Sequence, residues 1–298
     1  MQFIKLFFKT LGNGIKFINT YFKTFVLLLI FLWIFASSQD TNSHFANLER
    51  IDLKGEIFDS SSVLEKIINA KNDDQIKGVL FVIDSPGGAF APSMELALAI
   101  KDLRAKKPVV VYASGTMASG SYLAGVGANK ILANPASFIG SIGVIMQGAD
   151  ISELANKLGI KEQTIQAGEF KSAGTFTRAW SGKEKQYLQD LIDQSYDLFV
   201  DFVSKERNLD KTQKNTWANA RVFLAQKAKE LGLIDGLSNY ENAKKELEKL
   251  SKVQNPTWKE EDKIDKLFNR LEGQASSLIS KSLIEIVYKA NNSFTSAR

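Results

Sequence analysis

A mainly parallel α/β sheet with helices packed on it is predicted by three features of this 298-residue chain. Short apolar runs recur, at Gly78–Ile83, Pro108–Tyr112 and Lys130–Ala133. Segments with helical spacing separate them, and from Ser181 onward the pattern turns helical. A continuous apolar run suits a strand buried on both faces, and strand–turn–helix order suits a parallel sheet with crossover helices.

The elements follow in order. Lys5, Lys9, Lys16 and Lys23 precede the first acidic residue, Asp40. The apolar run Phe25–Ala36 covers about 18 Å as a helix, short of a hydrocarbon core of about 30 Å. Extended from Tyr21 to Ser38 it covers about 27 Å, with Lys23 snorkelling and Tyr21 in the interface. The expectation is a basic cytoplasmic segment (1–24) running into a transmembrane signal anchor (21–38). A cleaved signal peptide is the competing reading, because Ala36, Ser37 and Ser38 are small. Under either reading the positive-inside rule puts residues 39–298 across the inner (plasma) membrane, on the periplasmic or extracytoplasmic side.

Residues 39–46 read as a polar stalk and 47–252 as the globular body. Within it, Leu48–Ile57 has strand character and Ser61–Ala70 is a helix with Ser/Asp cap candidates. Asp84–Gly88 reads as a turn by composition. A helix runs from Pro92 to Lys106, carrying Met94, Leu96, Leu98, Ile100 and Leu103. Ala118–Ala128 forms a small-residue helix, and Phe138–Met146 a further apolar segment. Leu188, Leu191, Ile192, Phe199, Phe202 and Val203 make one buried helical stripe. Two more helices, 224–231 and 239–251, flank Gly232–Gly236. From 253 to 298 an amphipathic helical tail is expected. Its apolar stripe fits packing on its own domain, an oligomer contact or a membrane surface.

Composition excludes several chemistries. With no cysteine there is no disulfide, thiolate nucleophile or Cys-based metal site. The single histidine, His44, sits in the stalk, so a hydrolase here needs another base, and neither metal nor cofactor is expected. The net charge of +5 is spread along the chain without an Arg-rich stripe, so no nucleic-acid partner is expected. No P-loop pattern suggests an ATP motor.

Three segments could carry chemistry, each with a plain reading beside it. Asp84-Ser-Pro-Gly-Gly88 follows a buried strand. It is either an ordinary turn or a place where bare N–H groups meet a developing oxyanion. In Ala118-Ser119-Gly120-Ser121-Tyr122 the serine is either a helix cap or a nucleophile at a strand-to-helix turn, with the Gly120 N–H as a second oxyanion donor. Gly168-Glu-Phe-Lys171-Ser-Ala-Gly174 offers a lysine that is either a solvated charge or, once neutral, a base. With histidine unavailable, a Ser–Lys pairing is the hydrolytic arrangement this inventory permits.

At these residues the chain resembles the signal peptide peptidase A family in its short bacterial form. The matching blocks are Ile83–Gly88, Ala118–Tyr122, Lys130–Pro135, Gly140–Val144, Gly168–Lys171, Trp217–Phe223 and Ala228–Leu237, in family order. The resemblance implies a Clp protease/crotonase-like fold for the peptidase domain, with Ser119 as nucleophile and Lys171 as general base. It implies oxyanion N–H groups from Gly88 and Gly120, with neighbouring Gly87 also a candidate, and Ser141 orienting the lysine. Implied partners are peptide substrates, namely signal peptides left in the membrane after preprotein processing, together with membrane lipid through the N-terminal helix and further copies of the chain. Serine and lysine could meet within a protomer or across a boundary. Ser121 departs from the family, which usually has glycine there; a hydroxymethyl could narrow the substrate channel but touches none of the assigned roles. A crotonase-type acyl-CoA enzyme would share the sheet and oxyanion hole, and a membrane scaffold would need neither Ser119 nor Lys171.

Overall fold

The structure, a computed structural model, describes residues 16–17, 20–32 and 46–259. The chain divides into two units. In the first, residues 20–32 are helical (α1) and their apolar side chains, Phe25 and Leu27–Leu32 among them, are exposed. Among the described residues no helix is long and apolar enough to cross a membrane. The remainder of the expected span, residues 33–38, lies outside the described residues, as do His44 and the tail beyond 259.

The second unit, Phe45–Trp258, holds the sheet. Its elements begin β1 (Leu48–Ile57), α2 (Ser61–Asn72), β2 (Gly78–Gly88), α3 (Phe90–Arg104), β3 (Val109–Ala118), α4 (Gly120–Gly125), β4 (Lys130–Ala133) and β5 (Phe138–Gly140). They continue with α5 (Ser152–Lys157), α6 (Gly182–Arg207), α7 (Lys214–Trp217), β6 (Val222–Leu224), α8 (Ala225–Glu230), β7 (Gly236–Leu237) and α9 (Tyr240–Ser251). The sheet runs β1-β2-β3-β4-β7, all parallel. β5 pairs parallel with the far end of β3, and β6 joins β5 antiparallel.

The apolar runs form the centre of this sheet because both its faces are covered. Val79, Phe81, Ile83, Val109 and Val111 point into a core shared with α3, α4 and α6, while Leu80, Val82, Val110 and Tyr112 meet α9 on the other face. Burying one such side chain is worth about 1.5–3 kcal/mol, so polar substitutions at either face oppose folding. The α6 stripe is narrower than expected. Leu188, Phe199, Val200 and Val203 are buried, but Leu191 remains 39% exposed. Leu98 of α3 likewise points outward.

The Asp84–Gly88 segment is a continuation of β2 rather than a turn. The strand absorbs register shifts against both neighbours and keeps pairing as far as Ile57↔Gly88. Gly87 makes this possible by adopting φ +96°, a region closed to most side chains. Similarly β3 continues past Tyr112 to Ala118, and the helix expected from Ala118 begins at Gly120 and ends at Gly125. Past Gly140 the expected apolar segment carries no regular structure.

Candidate active site

β3 forks. Its first half, Val110–Ala113, pairs with β4, and its last residues, Thr116–Ala118, pair with β5. The fork opens the sheet at the carboxyl ends of β2, β3 and β5, the edge where parallel sheets place their ligand sites. Gly87–Gly88, Ser119 and Ser141 therefore stand at one edge.

Ser119 is the single residue between β3 and α4 and carries φ 53°, ψ −124°. Such a conformation costs a residue with a side chain about 1–3 kcal/mol and persists only where its surroundings enforce it. They do so here. The Ser119 N–H donates to the Gly140 carbonyl at 2.8 Å, and its own carbonyl accepts from the Leu123 N–H at 3.0 Å. Just beyond, Tyr122 is wholly buried and donates its hydroxyl to the Leu233 carbonyl at 2.8 Å. That burial raises its pKa, so it acts as an anchor for α4 rather than as an acid. The Ser119 hydroxyl is half-buried and hydrogen-bonds nothing among the described residues. No cap interaction is made by this side chain, which removes the helix-cap reading.

The three glycines expected at the site lie against one another. A Cβ built on Gly87 would stand 2.5 Å from the Gly120 nitrogen, and one built on Gly120 would stand 3.3 Å from the Gly88 nitrogen. A Cβ on Gly88 would meet the Ile57 carbonyl oxygen at 2.3 Å. Two strands of bare backbone thus pass within contact beside Ser119. Gly120 opens α4, where a helix leaves its first N–H groups without intrahelical acceptors.

Ser121 corrects the sequence expectation. Its side chain is fully buried. The hydroxyl donates to the Ser85 carbonyl at 2.6 Å, lies 2.8 Å from the Ala118 carbonyl and accepts from the Ala118 N–H at 2.8 Å. It therefore ties the end of β2 to the residue before Ser119. Other polar ties escaped sequence reasoning. The Asp84 carboxylate accepts from the Thr116 N–H at 2.8 Å across the bulge, and buried Ser93 packs under Gly120 while donating to Ala89. Only their position beside glycine motifs could have singled them out.

Ser141 follows Gly140 at the end of β5, so it neighbours Ser119 in the sheet. It has φ 50° and donates its N–H to the Arg221 carbonyl at 2.8 Å. The Lys171 side chain is exposed and makes no hydrogen bond or ion pair among the described residues, so the expectation of a partly buried amine is not met. The loop bearing it is tied to the start of α6. Phe199, fifteen residues or about 22 Å along that helix from Glu184, packs on Phe90, two residues past Gly88.

Residues 101–254 match the description of Peptidase family S49. Two relatives provisionally named as proteases are 39% identical over 66% of this chain (Methanocaldococcus jannaschii) and 34% identical over 66% (Synechocystis sp.). An Enterococcus faecium protein provisionally named signal peptide peptidase SppA is 31% identical over 77%. The matched stretches cover 64%, 72% and 65% of these relatives, so the chain spans just under two thirds of the first and third. A solved 1510-N membrane-bound stomatin-specific protease is 17% identical, covering 67% of this chain and 84% of that one, with a TM-score of 0.43.

Proposed function

Because the chain belongs to peptidase family S49, we propose that it is a membrane-anchored serine endopeptidase using a Ser–Lys dyad, with Ser119 as nucleophile and Lys171 of a neighbouring copy as general base. The observation that carries this reading is the strained backbone of Ser119 between β3 and α4, with the Gly88 and Gly120 amides beside it. Nothing in the packing of α4 needs a side chain in that conformation. A nucleophile raised clear of its helix does.

The reaction runs in two steps. The Lys171 amine takes the Ser119 proton as the hydroxyl oxygen bonds to a peptide carbonyl carbon. The oxygen of that carbonyl becomes an anion held by the Gly88 and Gly120 N–H groups. The C–N bond breaks, the leaving amine takes the proton from Lys171, and water then hydrolyses the acyl-serine. Because the amine must be neutral to accept a proton, turnover should rise toward alkaline pH.

Assembly from several copies is favoured by the segment that precedes and contains Lys171. Ile145, Met146, Leu154, Leu158, Ile160 and Ile165 are all exposed there, and large exposed apolar side chains gathered on one segment suit an interaction surface. A second copy laid on this segment would cover them and bring a foreign lysine to Ser119. The substrates proposed are signal peptides left in the bilayer after preprotein cleavage. An anchor through 21–38 would confine enzyme and peptide to one membrane and raise their encounter rate. The catalytic body would face the extracytoplasmic side, as the N-terminal lysines suggest.

Mixing tests the arrangement. Ser119→Ala and Lys171→Ala proteins should each be inactive, and co-assembled in equal amounts they should regain about a quarter of wild-type turnover, the share of sites joining two intact partners. No recovery on mixing would place the dyad within one chain. Normal turnover by either variant alone would remove the mechanism.

A further inference from the structure

Lys171 is bracketed by residues that are each fastened to α6 or its lead-in. Glu169 pairs with Lys183 at 2.9 Å, and the Phe170 ring stacks on Tyr187 with centroids 4.7 Å apart. The Ser172 hydroxyl accepts from Arg178 at 3.1 Å. Lys171 alone among these four side chains has no tie. The three ties differ in worth. Glu169 and Lys183 are both largely exposed, and such a pair contributes little. The aromatic stack adds more than its area.

Arg178 is the strongest of the fasteners. Its two terminal nitrogens donate to the two Glu184 oxygens at 2.9 and 2.7 Å, the planar two-pronged geometry that a lysine cannot reproduce. Glu184 is nearly buried and also closes the α6 cap. Its carboxylate accepts from the Ser181 N–H at 2.8 Å, and its own N–H donates to the Ser181 hydroxyl at 3.2 Å. One carboxylate therefore joins the helix start to the guanidinium that grips Ser172. The hydrogen bonds from Arg178 and then Ser181 hold this carboxyl at a pKa of about 2, so the joint stays charged at any pH where the enzyme would work. Beyond it, α6 is fixed in the core by Phe199, Val200 and Val203.

We propose that the Arg178–Glu184 fork is a positioning device for Lys171, holding the backbone of its loop through Ser172 so that the free amine is presented outward in one orientation. The proposal rests on Lys171 being the base. It adds two positioning residues, neither of which touches substrate. It also explains why an exposed lysine can serve at all, since a base must arrive at the nucleophile already aimed.

The test compares Arg178→Ala, Arg178→Lys and Ser172→Ala with wild type in the full-length protein. Amide hydrogen exchange at Lys171, Ala173 and Thr175, whose N–H groups close turns within the loop, should quicken about tenfold in Arg178→Ala while β1–β3 stay protected. The kcat on a fluorogenic peptide should fall about tenfold with KM unchanged. Arg178→Lys should recover little of it, and Ser172→Ala should reproduce part of the loss with the fork intact. Unchanged loop exchange, or a kcat loss matched by faster exchange throughout the sheet, would overturn the proposal. If instead Lys171→Ala keeps its turnover, the base assignment falls, while the exchange comparison still decides whether the fork holds the loop.

Discussion

Substituting Gly120 by alanine probes the site with a single methyl group. The new Cβ would stand 2.2 Å from the Ser93 hydroxyl oxygen, 3.0 Å from the Ser93 Cβ and 3.3 Å from the Gly88 nitrogen. Ser93 cannot yield freely, because it is fully buried and its hydroxyl donates to the Ala89 carbonyl at 2.8 Å. Restoring ordinary contact requires α4 and the Gly88–Ala89 segment to part by about 1 Å, a misplacement that can cost about 10²-fold in rate. Those two segments carry the two proposed oxyanion donors, and losing one such donor costs about 10²–10³-fold, or about 2.7–4 kcal/mol of barrier. The accompanying overpacking should cost about 1–3 kcal/mol of stability. Steady-state kinetics on a fluorogenic peptide, with thermal unfolding in parallel, separates the two effects. The kcat should drop at least about 100-fold while the protein still unfolds cooperatively. Adding Ser93→Gly empties the space the methyl needs and should return at least about tenfold of the lost rate, against roughly 1 kcal/mol for a glycine inside α3. A folded Gly120→Ala enzyme within a few-fold of wild type would refute the oxyanion assignment. A double variant with no recovery would show that the collision with Ser93 is not the cause.

Other outcomes follow from the same geometry. Ser121→Ala leaves the buried Ser85 carbonyl and Ala118 N–H without their partner and should cost about 1–3 kcal/mol in denaturant unfolding. The same variant should leave peptide KM unmoved, since the side chain is fully buried. The Glu184 pKa is lowered in the folded chain, so its stabilising contribution is present above the ordinary value of 4.5 and fades as pH falls to about 2. Unfolding curves of wild type and Glu184→Gln should therefore differ near neutral pH and converge near pH 2. An acylating inhibitor should label Ser119 in wild type and not in Ser119→Ala, with mass spectrometry locating the adduct.

Much of the sheet was readable from sequence because its strands are buried on both faces and so spell unbroken apolar runs. β2 and β3 announce themselves this way, whereas β1, at the end of the strand order, mixes charged residues into its run. β6 and β7, of three and two residues, do not, because their pairing is decided by what they lie beside. The turn expected at Asp84–Gly88 failed for a related reason. Pro-Gly-Gly composition favours bending, but the β1 and β3 ladders on either side hold the segment extended. Ser119 and the glycines could be picked out as residue types, yet nothing in the sequence shows that a Cβ on any of them would strike the next segment. Ser121 was misread because a helix start rotates the second side chain inward, a fact of geometry and not of composition. The loop of Lys171 is the least legible. Its ties to Lys183, Glu184 and Tyr187 run through side chains with no periodic signature.

The fork in β3 also sets a timetable. Ser119 is held by Gly140, whose neighbour Ser141 is held in turn by Arg221, and β6 follows at Val222. A growing chain would thus leave Ser119 without its support until about a hundred further residues had been synthesised, with long-range pairing the slow event. Such an order of assembly would leave the edge that carries Ser119 unformed until most of the body had been made.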